Sequence, residues 1–467
     1  MKKTIEDINA STSSTITQFS YSLGSFLNDF IATALGVWVF KFYETEVFLP
    51  IIFISVATVI YGFVNMLNDP FAGHISGKPT RLSRRWGKRF SWFIITALPS
   101  TLLCALIYMP PLNADYIFIF FWVLVCLCVF DTLLSFAIIN WQAIFPDKFR
   151  SQRERTKVGG IQILCSLAGL CVGYGLPILI ITSGPPGTNI NSFILSAVFI
   201  SIISLIVVLL MIPGMREDEE MIARTLKTDG KPKESHQYIK KIKFALKQKN
   251  FIAYLFAYLA QNVVMVLLLS SIPYWTDYIM RADFIIELYV FASFLSASLI
   301  SVPLWVYIGR KYGNRIGYIC GTGLSTLSLT IALFQTELIG VLICIFFIGF
   351  SMGATWCLIY PAFSDIIDEI VVKAGERNDG IYYGFRTFFG RLSIIVEALT
   401  FGILHTITFF DPQSSTQTLL AQWGIKLGMF FVPALFYFIG FLFMWRVNDL
   451  KPLKVNNIKI ELKELNL

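Results

Sequence analysis

Twelve apolar runs of membrane-spanning length constrain this chain more than any other feature. A helix needs ~20 mostly apolar residues to cross ~30 Å of hydrocarbon. Cut at its charge clusters and Pro/Gly turns, the chain yields such runs at 18–40, 47–73, 90–109, 116–145, 158–182, 193–212, 251–275, 288–308, 316–334, 338–364, 380–409 and 427–445. Composition agrees: 55% of residues are hydrophobic and 15% charged, where soluble chains carry roughly 25% charged residues. The reading is an all-α, polytopic membrane protein of twelve transmembrane helices.

Charge placement orients the spans. Connections after spans two, four, eight and ten hold sixteen Lys and Arg; those after odd-numbered spans hold Lys41, Arg281 and Lys426. Basic residues collect on the cytoplasmic side, so both termini and the middle stretch are expected inside, with the cell membrane as the site. Confined to connections, the net charge of +8 is a topology signal and not a nucleic-acid surface. The polar N-terminus shows no small-residue cleavage site after its first apolar run, so a removable signal peptide is not expected. All eight cysteines fall in apolar runs without metal or disulfide spacing and are read as core residues.

Residues 214–250 form the one long polar stretch and split the chain into six spans plus six. The expected organisation is an N-terminal six-helix half (1–213), a cytoplasmic middle loop (214–250), a C-terminal six-helix half (251–446) and a cytoplasmic tail (447–467). Tyr238, Ile242, Ala245 and Leu246 share one face of a lysine-rich segment, which suits either a helix on anionic lipid or a solvated basic linker.

An internal repeat narrows the architecture. Arg84-Arg85-Trp86-Gly87-Lys88-Arg89 follows span two and Arg310-Lys311-Tyr312-Gly313-Asn314-Arg315 follows span eight, a displacement of 226 residues; Glu154-Arg155 and Glu376-Arg377 echo each other at 222. A parallel repeat of six spans is the signature of the major facilitator fold, with a substrate site between the halves near the bilayer midplane. In the repeated turn, glycine permits a tight bend, and the cations are placed to meet helix C-terminal carbonyls and opposing acids. Arg84, Arg85, Gly87, Arg89, Arg310, Lys311, Gly313 and Arg315 are candidate gating residues, as are Asp365 and Asp368 at the end of span ten.

A charge at a helix centre costs at least ~2.5–3.5 kcal/mol on insertion scales, so each one requires an explanation. The first half carries Asp29, Asp69 and Asp131 on spans one, two and four; the second carries Arg386, Arg391 and Glu397, all on span eleven. Three aspartates without a basic residue in their own spans require something positive: H⁺, Na⁺ or an arginine of the other half. Asn65 and Asp69 at i,i+4 share a helix face and offer oxygens, with Asp131 to complete the cage. Those three residues form the candidate cation site. Glu397 is read as a protonated structural carboxyl. Asp29 suits a hydroxylated solute, since carboxylates accept hydrogen bonds from adjacent hydroxyls.

Asn68-Asp69-Pro70-Phe71-Ala72-Gly73 with the basic turn after it resembles span two of the glycoside/pentoside/hexuronide:cation symporter family, the melibiose permease-like branch of the major facilitator superfamily. Pro146-Asp147, Arg153-Glu154-Arg155, Ser364-Asp365-Ile366-Ile367-Asp368 and Arg377-Asn378-Asp379-Gly380-Ile381-Tyr382-Tyr383 carry the resemblance along the chain. It implies a symporter whose cation site includes Asp69, Asp131 and position 65, with Asp29 and Asp131 binding sugar hydroxyls and Arg391 standing where the family has a lysine. Departures are Asn65 for an aspartate, Cys128 for a threonine, Gly77 for an aspartate, and no arginine near Gln162.

The expected function is cation-coupled (H⁺ or Na⁺) symport of a sugar, glycoside or related polar solute. Lysophospholipid or other amphiphile transport is the alternative within the family, and a non-transporting sensor or scaffold the alternative outside it. The three histidines, His74, His236 and His405, are far apart in sequence and no catalytic constellation appears. No organic cofactor and no metal beyond a Na⁺ at the cation site are expected. A monomer in lipid, acting on a small molecule, is the anticipated working form.

Overall fold

Inside a bilayer every backbone polar group must be satisfied within the protein, and all twelve apolar runs meet that demand as helices. A computed structural model of the chain describes residues 13–76, 83–149, 151–181, 184–219, 221–222, 235–282, 284–376 and 379–464. The helices long and apolar enough to span a membrane are α1 (Thr15–Glu46), α2 (Ile51–Ser76), α3 (Lys88–Ile107), α4 (Tyr116–Lys148), α5 (Glu154–Ile180), α6 (Ile190–Met215), α7 (Lys249–Met280), α8 (Ile285–Tyr312), α9 (Asn314–Phe334), α10 (Leu338–Ala374), α11 (Asp379–Ile407) and α12 (Leu419–Val447). The twelve expected spans are all present.

Several helices outrun the apolar runs that predicted them. α10 continues ten residues past the expected end at 364, because the acids that marked a loop are satisfied on the helix: Asn314 donates to Asp365 at 2.7 Å, and Lys373 reaches Glu369 at 3.0 Å. α1 begins on Ser14, whose hydroxyl caps the Thr17 N–H at 3.1 Å, an N-cap that leaves one fewer orphan donor. Its far end changes winding at Val37 and Trp38 and closes in a wide turn over Phe42–Glu46.

The chain divides into two units, residues 1–232 and 233–467, with six membrane helices in each. Both use the same five principal helix pairs: α1·α5, α3·α4, α2·α4, α1·α6 and α3·α6 in the first match α7·α11, α9·α10, α8·α10, α7·α12 and α9·α12 in the second. The repeat seen at two turns therefore extends to the packing. Both repeated glycines take backbone angles that side chains rarely adopt: Gly87 at φ 88° before α3 and Gly313 at φ 93° before α9.

Part of the basic middle stretch is a helix that packs against the second unit. Its helix Ser235–Ala245 packs on the first turns of α11, and Ala245 is fully buried with Phe251, Ile370 and Tyr382. The C-terminal helix Pro452–Glu464 lies along α10 and buries Ile458 and Leu462 in the same cluster.

Candidate functional site

Tyr61, Asn65 and Asn68 recur at helical spacing on one face of α2, opposite Asp131 of α4. Asn65 Nδ2 donates to Asp131 Oδ1 at 2.5 Å, Asn68 Nδ2 to Oδ2 at 2.6 Å, and the Tyr61 hydroxyl to Oδ1 at 3.3 Å. Asn68 is oriented in turn by Thr132, whose hydroxyl lies 3.2 Å from Asn68 Oδ1 and 2.7 Å from the Cys128 carbonyl. Asp131 is only 6% exposed. Charge-assisted bonds contribute ~1.5–3 kcal/mol each, against a burial penalty of several kcal/mol for a carboxylate.

Asn65 and Asp131 lie together, with the Asn65 amide nitrogen donating to the carboxylate. Asp69 follows Asn68, 100° further round the helix, and is half-buried. Asn68 and Tyr61 were not singled out in the sequence, although the spacing 61, 65, 68 was there to be read. Among the described residues no group of three His, Cys, Asp or Glu side chains is placed to hold a metal ion.

Asp29 on α1 is half-buried and accepts from two neutral donors: Ser166 of α5, and Asn28 Nδ2 at 2.8 Å. Two glycines bring α5 this close. A Cβ on Gly169 would fall 2.5 Å from the Phe26 carbonyl oxygen, and one on Gly173 2.6 Å from that of Phe30. Ser166, one turn past Gln162, thus meets the aspartate from the span where the family resemblance called for an arginine.

In the second unit α11 is interrupted at Arg391, between helical segments Asp379–Gly390 and Leu392–Ile407, and Arg391 is half-buried. Glu397 is buried and accepts from Ser270 of α7 at 2.6 Å. Arg386 is buried in a box of aromatic rings, a feature the sequence reading passed over.

The repeated turns use their polar groups differently. After Gly87, the Arg89 and Phe90 N–H groups donate to Glu217 Oε1 at 2.5 and 3.0 Å, so an acid caps the start of α3. The Arg89 guanidinium reaches Asn140 Oδ1 at 3.2 Å. Arg315 instead donates to the Trp445 and Asn448 carbonyls at 2.6 and 2.8 Å and caps the end of α12. Lys311 meets the Tyr307 hydroxyl at 3.0 Å; Arg310 and Arg85 are exposed, and the Arg84 side chain lies outside the described residues.

At the end of α10, Asp365 faces Asn314 and, at 3.7 Å, Lys459; Asp368 is half-buried. Beside them Glu369 accepts from Asn250 at 2.5 Å and Lys454 at 2.8 Å. Lys454 also meets Asp449 at 2.7 Å, as does Lys249. Burial pushes the Asp449 carboxyl up, but hydrogen bonds from Lys249, Lys454 and Asn250 outweigh it and hold the group well below the usual carboxylate range.

A model of the MFS/sugar transport protein family matches residues 20–448. The chain is similar to the sodium-dependent lysophosphatidylcholine symporter 1-A of Danio rerio, 20% identical over 440 residues covering 85% of this chain and 80% of that protein. It also resembles the uncharacterized symporter YjmB of Bacillus subtilis, 28% identical over 34% of this chain and 36% of that protein. Among solved structures, a D-xylose-proton symporter superposes with a TM-score of 0.66 at 14% identity, covering 93% of this chain and 98% of the other. At that identity the likeness is one of fold.

Proposed function

The chain belongs to the MFS/sugar transport protein family, and from that premise we propose that it is a cation-coupled symporter of a sugar, glycoside or related polar solute, working by alternating access. It is an integral, multi-pass membrane protein with the major facilitator fold. The proposal places it in the cell membrane with both termini cytoplasmic.

One observation carries the coupling: the buried Asp131 carboxylate is held by the Asn65 and Asn68 amides and the Tyr61 hydroxyl. Neutral donors stabilise a charge without cancelling it. A proton or Na⁺ arriving at Asp131, with Asp69 alongside, cancels one negative charge within the helix bundle. The loaded and empty forms then differ in the cost of excluding water, and that difference shifts the balance between outward-open and inward-open states. Asp29 and Arg391 are assigned to the solute, Asp29 as an acceptor for hydroxyls.

A second reading, transport of a lysophospholipid or other amphiphile, is favoured by the match to the Danio rerio symporter over 85% of the chain. The test is thermal stability of the purified full chain with melibiose, D-xylose, D-glucuronate and lysophosphatidylcholine, with and without Na⁺, at pH 5.5 and 7.5. The sugar reading expects stabilisation by a sugar that depends on Na⁺ or on pH. Stabilisation by lysophosphatidylcholine alone transfers the assignment to an amphiphile, and cation-independent binding contradicts coupling.

A further inference from the structure

A buried cation in the second unit has no role in the mechanism above. Arg386 on α11 is 6% exposed. Its guanidinium carbon lies 4.9 Å from the ring centre of Tyr258, 5.1 Å from Tyr360, 5.2 Å from Phe363 and 5.1 Å from Tyr383. The Tyr254 hydroxyl, which donates to the Ile359 carbonyl at 2.8 Å, turns its oxygen towards the guanidinium. Among the described residues no group accepts from Nε or Nη1, and no carboxylate pairs with this arginine.

Ring faces attract the charge, but four rings do not satisfy five N–H donors in a planar fork. Buried donors without acceptors are costly, so an arginine serving only as a packing element is a poor choice here. The box is also built around the cation. A Cβ on Gly390, one turn along α11, would fall 2.4 Å from Tyr258 Cε1, so the absent side chain leaves that ring its place. Phe363 stacks on Tyr254 at 4.7 Å and meets the Tyr383 edge at 4.9 Å. Tyr360, whose ring centre lies 5.1 Å from the guanidinium carbon, is 58% exposed, so this wall of the box is the one that reaches the protein surface.

We propose that Arg386 is an oxyanion-recognition residue: the box formed by Tyr258, Tyr360, Phe363 and Tyr383 holds the guanidinium so that its free N–H groups bind a carboxylate or phosphate on the transported solute. Guanidinium geometry and its weak hydration suit both oxyanions. That the anion is cargo rests on the transport function proposed above; that Arg386 binds it does not.

The test uses the full chain in detergent and two matched pairs, D-glucuronate against D-glucose and lysophosphatidic acid against the corresponding monoacylglycerol, titrated on wild type, Arg386→Gln and Arg386→Lys. The expected result is that one anion binds at least about tenfold more tightly than its neutral partner, with the responding pair telling carboxylate from phosphate. Arg386→Gln then weakens that anion about 10- to 100-fold, to the level of the neutral compound. Equal affinities within both pairs, or an Arg386→Gln variant that keeps the anion, overturn the assignment. If Arg386→Gln does not fold, Arg386→Lys is read in its place, and an affinity within about twofold of wild type counts against recognition by the guanidinium. Proteoliposomes separate the two claims. Cation-driven uptake of the anionic solute that Arg386→Gln leaves intact removes the oxyanion site alone, whereas Arg386-dependent anion binding without any uptake by wild type removes the transport function and keeps the site.

Discussion

Replacing Asn68 by alanine tests whether the α2 amides serve the Asp131 carboxylate. The change deletes the 2.6 Å bond to Asp131 Oδ2 and the acceptor 3.2 Å from the Thr132 hydroxyl, which keeps the Cys128 carbonyl at 2.7 Å and so loses little. A hydrogen bond to an ionised group contributes ~1.5–3 kcal/mol, and one between neutral groups ~0.5–1.5 kcal/mol. Asn68→Ala should therefore cost about 2 kcal/mol in the native background and about 1 kcal/mol beside Asp131→Asn, where the charge is gone. The double-mutant cycle closes with a coupling of roughly 1 kcal/mol or more. At about 2–4 °C per kcal/mol for a unit of this size, Asn68→Ala melts about 5 °C below wild type, read by intrinsic fluorescence in detergent. Additivity within about 0.5 kcal/mol would mean that Asn68 does not hold the carboxylate.

Three further outcomes follow from the packing and the charges. Gly173→Ala places a methyl 2.6 Å from the Phe30 carbonyl oxygen and should cost about 1–3 kcal/mol, while Gly175→Ala, with nothing within 4 Å, should melt at or slightly above wild type; equal behaviour would refute the tight α1·α5 approach. Asp449 has its carboxyl held low, so the stability it adds is present above the ordinary carboxylate range and is lost as pH falls through its folded value. Its 39% exposed side chain limits that contribution to about 1 kcal/mol: the melting deficit caused by Asp449→Asn should be full at pH 7 and shrink progressively as pH falls below the ordinary carboxylate range, and a deficit that does not change with pH would contradict the linkage. Asp29→Asn retains hydrogen-bonding partners in Ser166 and Asn28 and should fold normally while weakening sugar binding about tenfold; unchanged titrations would release Asp29 from the solute.

The fold was legible because lipid imposes one rule on every span. Hydropathy located all twelve helices, and the two basic turns revealed a repeat that the five matched helix pairs now extend. The helix ends were less legible: hydropathy reads Asp365 and Glu369 as a loop, whereas Asn314, Asn250, Lys373 and Lys454 keep them helical. For the site, intramembrane charge singled out Asp29, Asp69 and Asp131, since burial makes such residues costly. Their neutral partners were legible only in part. Asn68 and Tyr61 come from the same α2 face as Asn65, but Ser166 is an ordinary serine until Gly169 and Gly173 bring α5 against α1. Arg386 was visible as a charge, yet its box draws on α7, α10 and α11, which no local spacing connects.

Uphill accumulation in proteoliposomes tests the coupling most directly. With D-xylose, melibiose, D-glucuronate or lysophosphatidylcholine outside, an inward Na⁺ or H⁺ gradient should drive wild type to concentrate one of them above equilibrium. Asp69→Asn and Asp131→Asn should then exchange that solute without concentrating it. Accumulation that survives either substitution, or wild-type uptake that stops at equilibrium under both gradients, would contradict a cation site at Asp69 and Asp131.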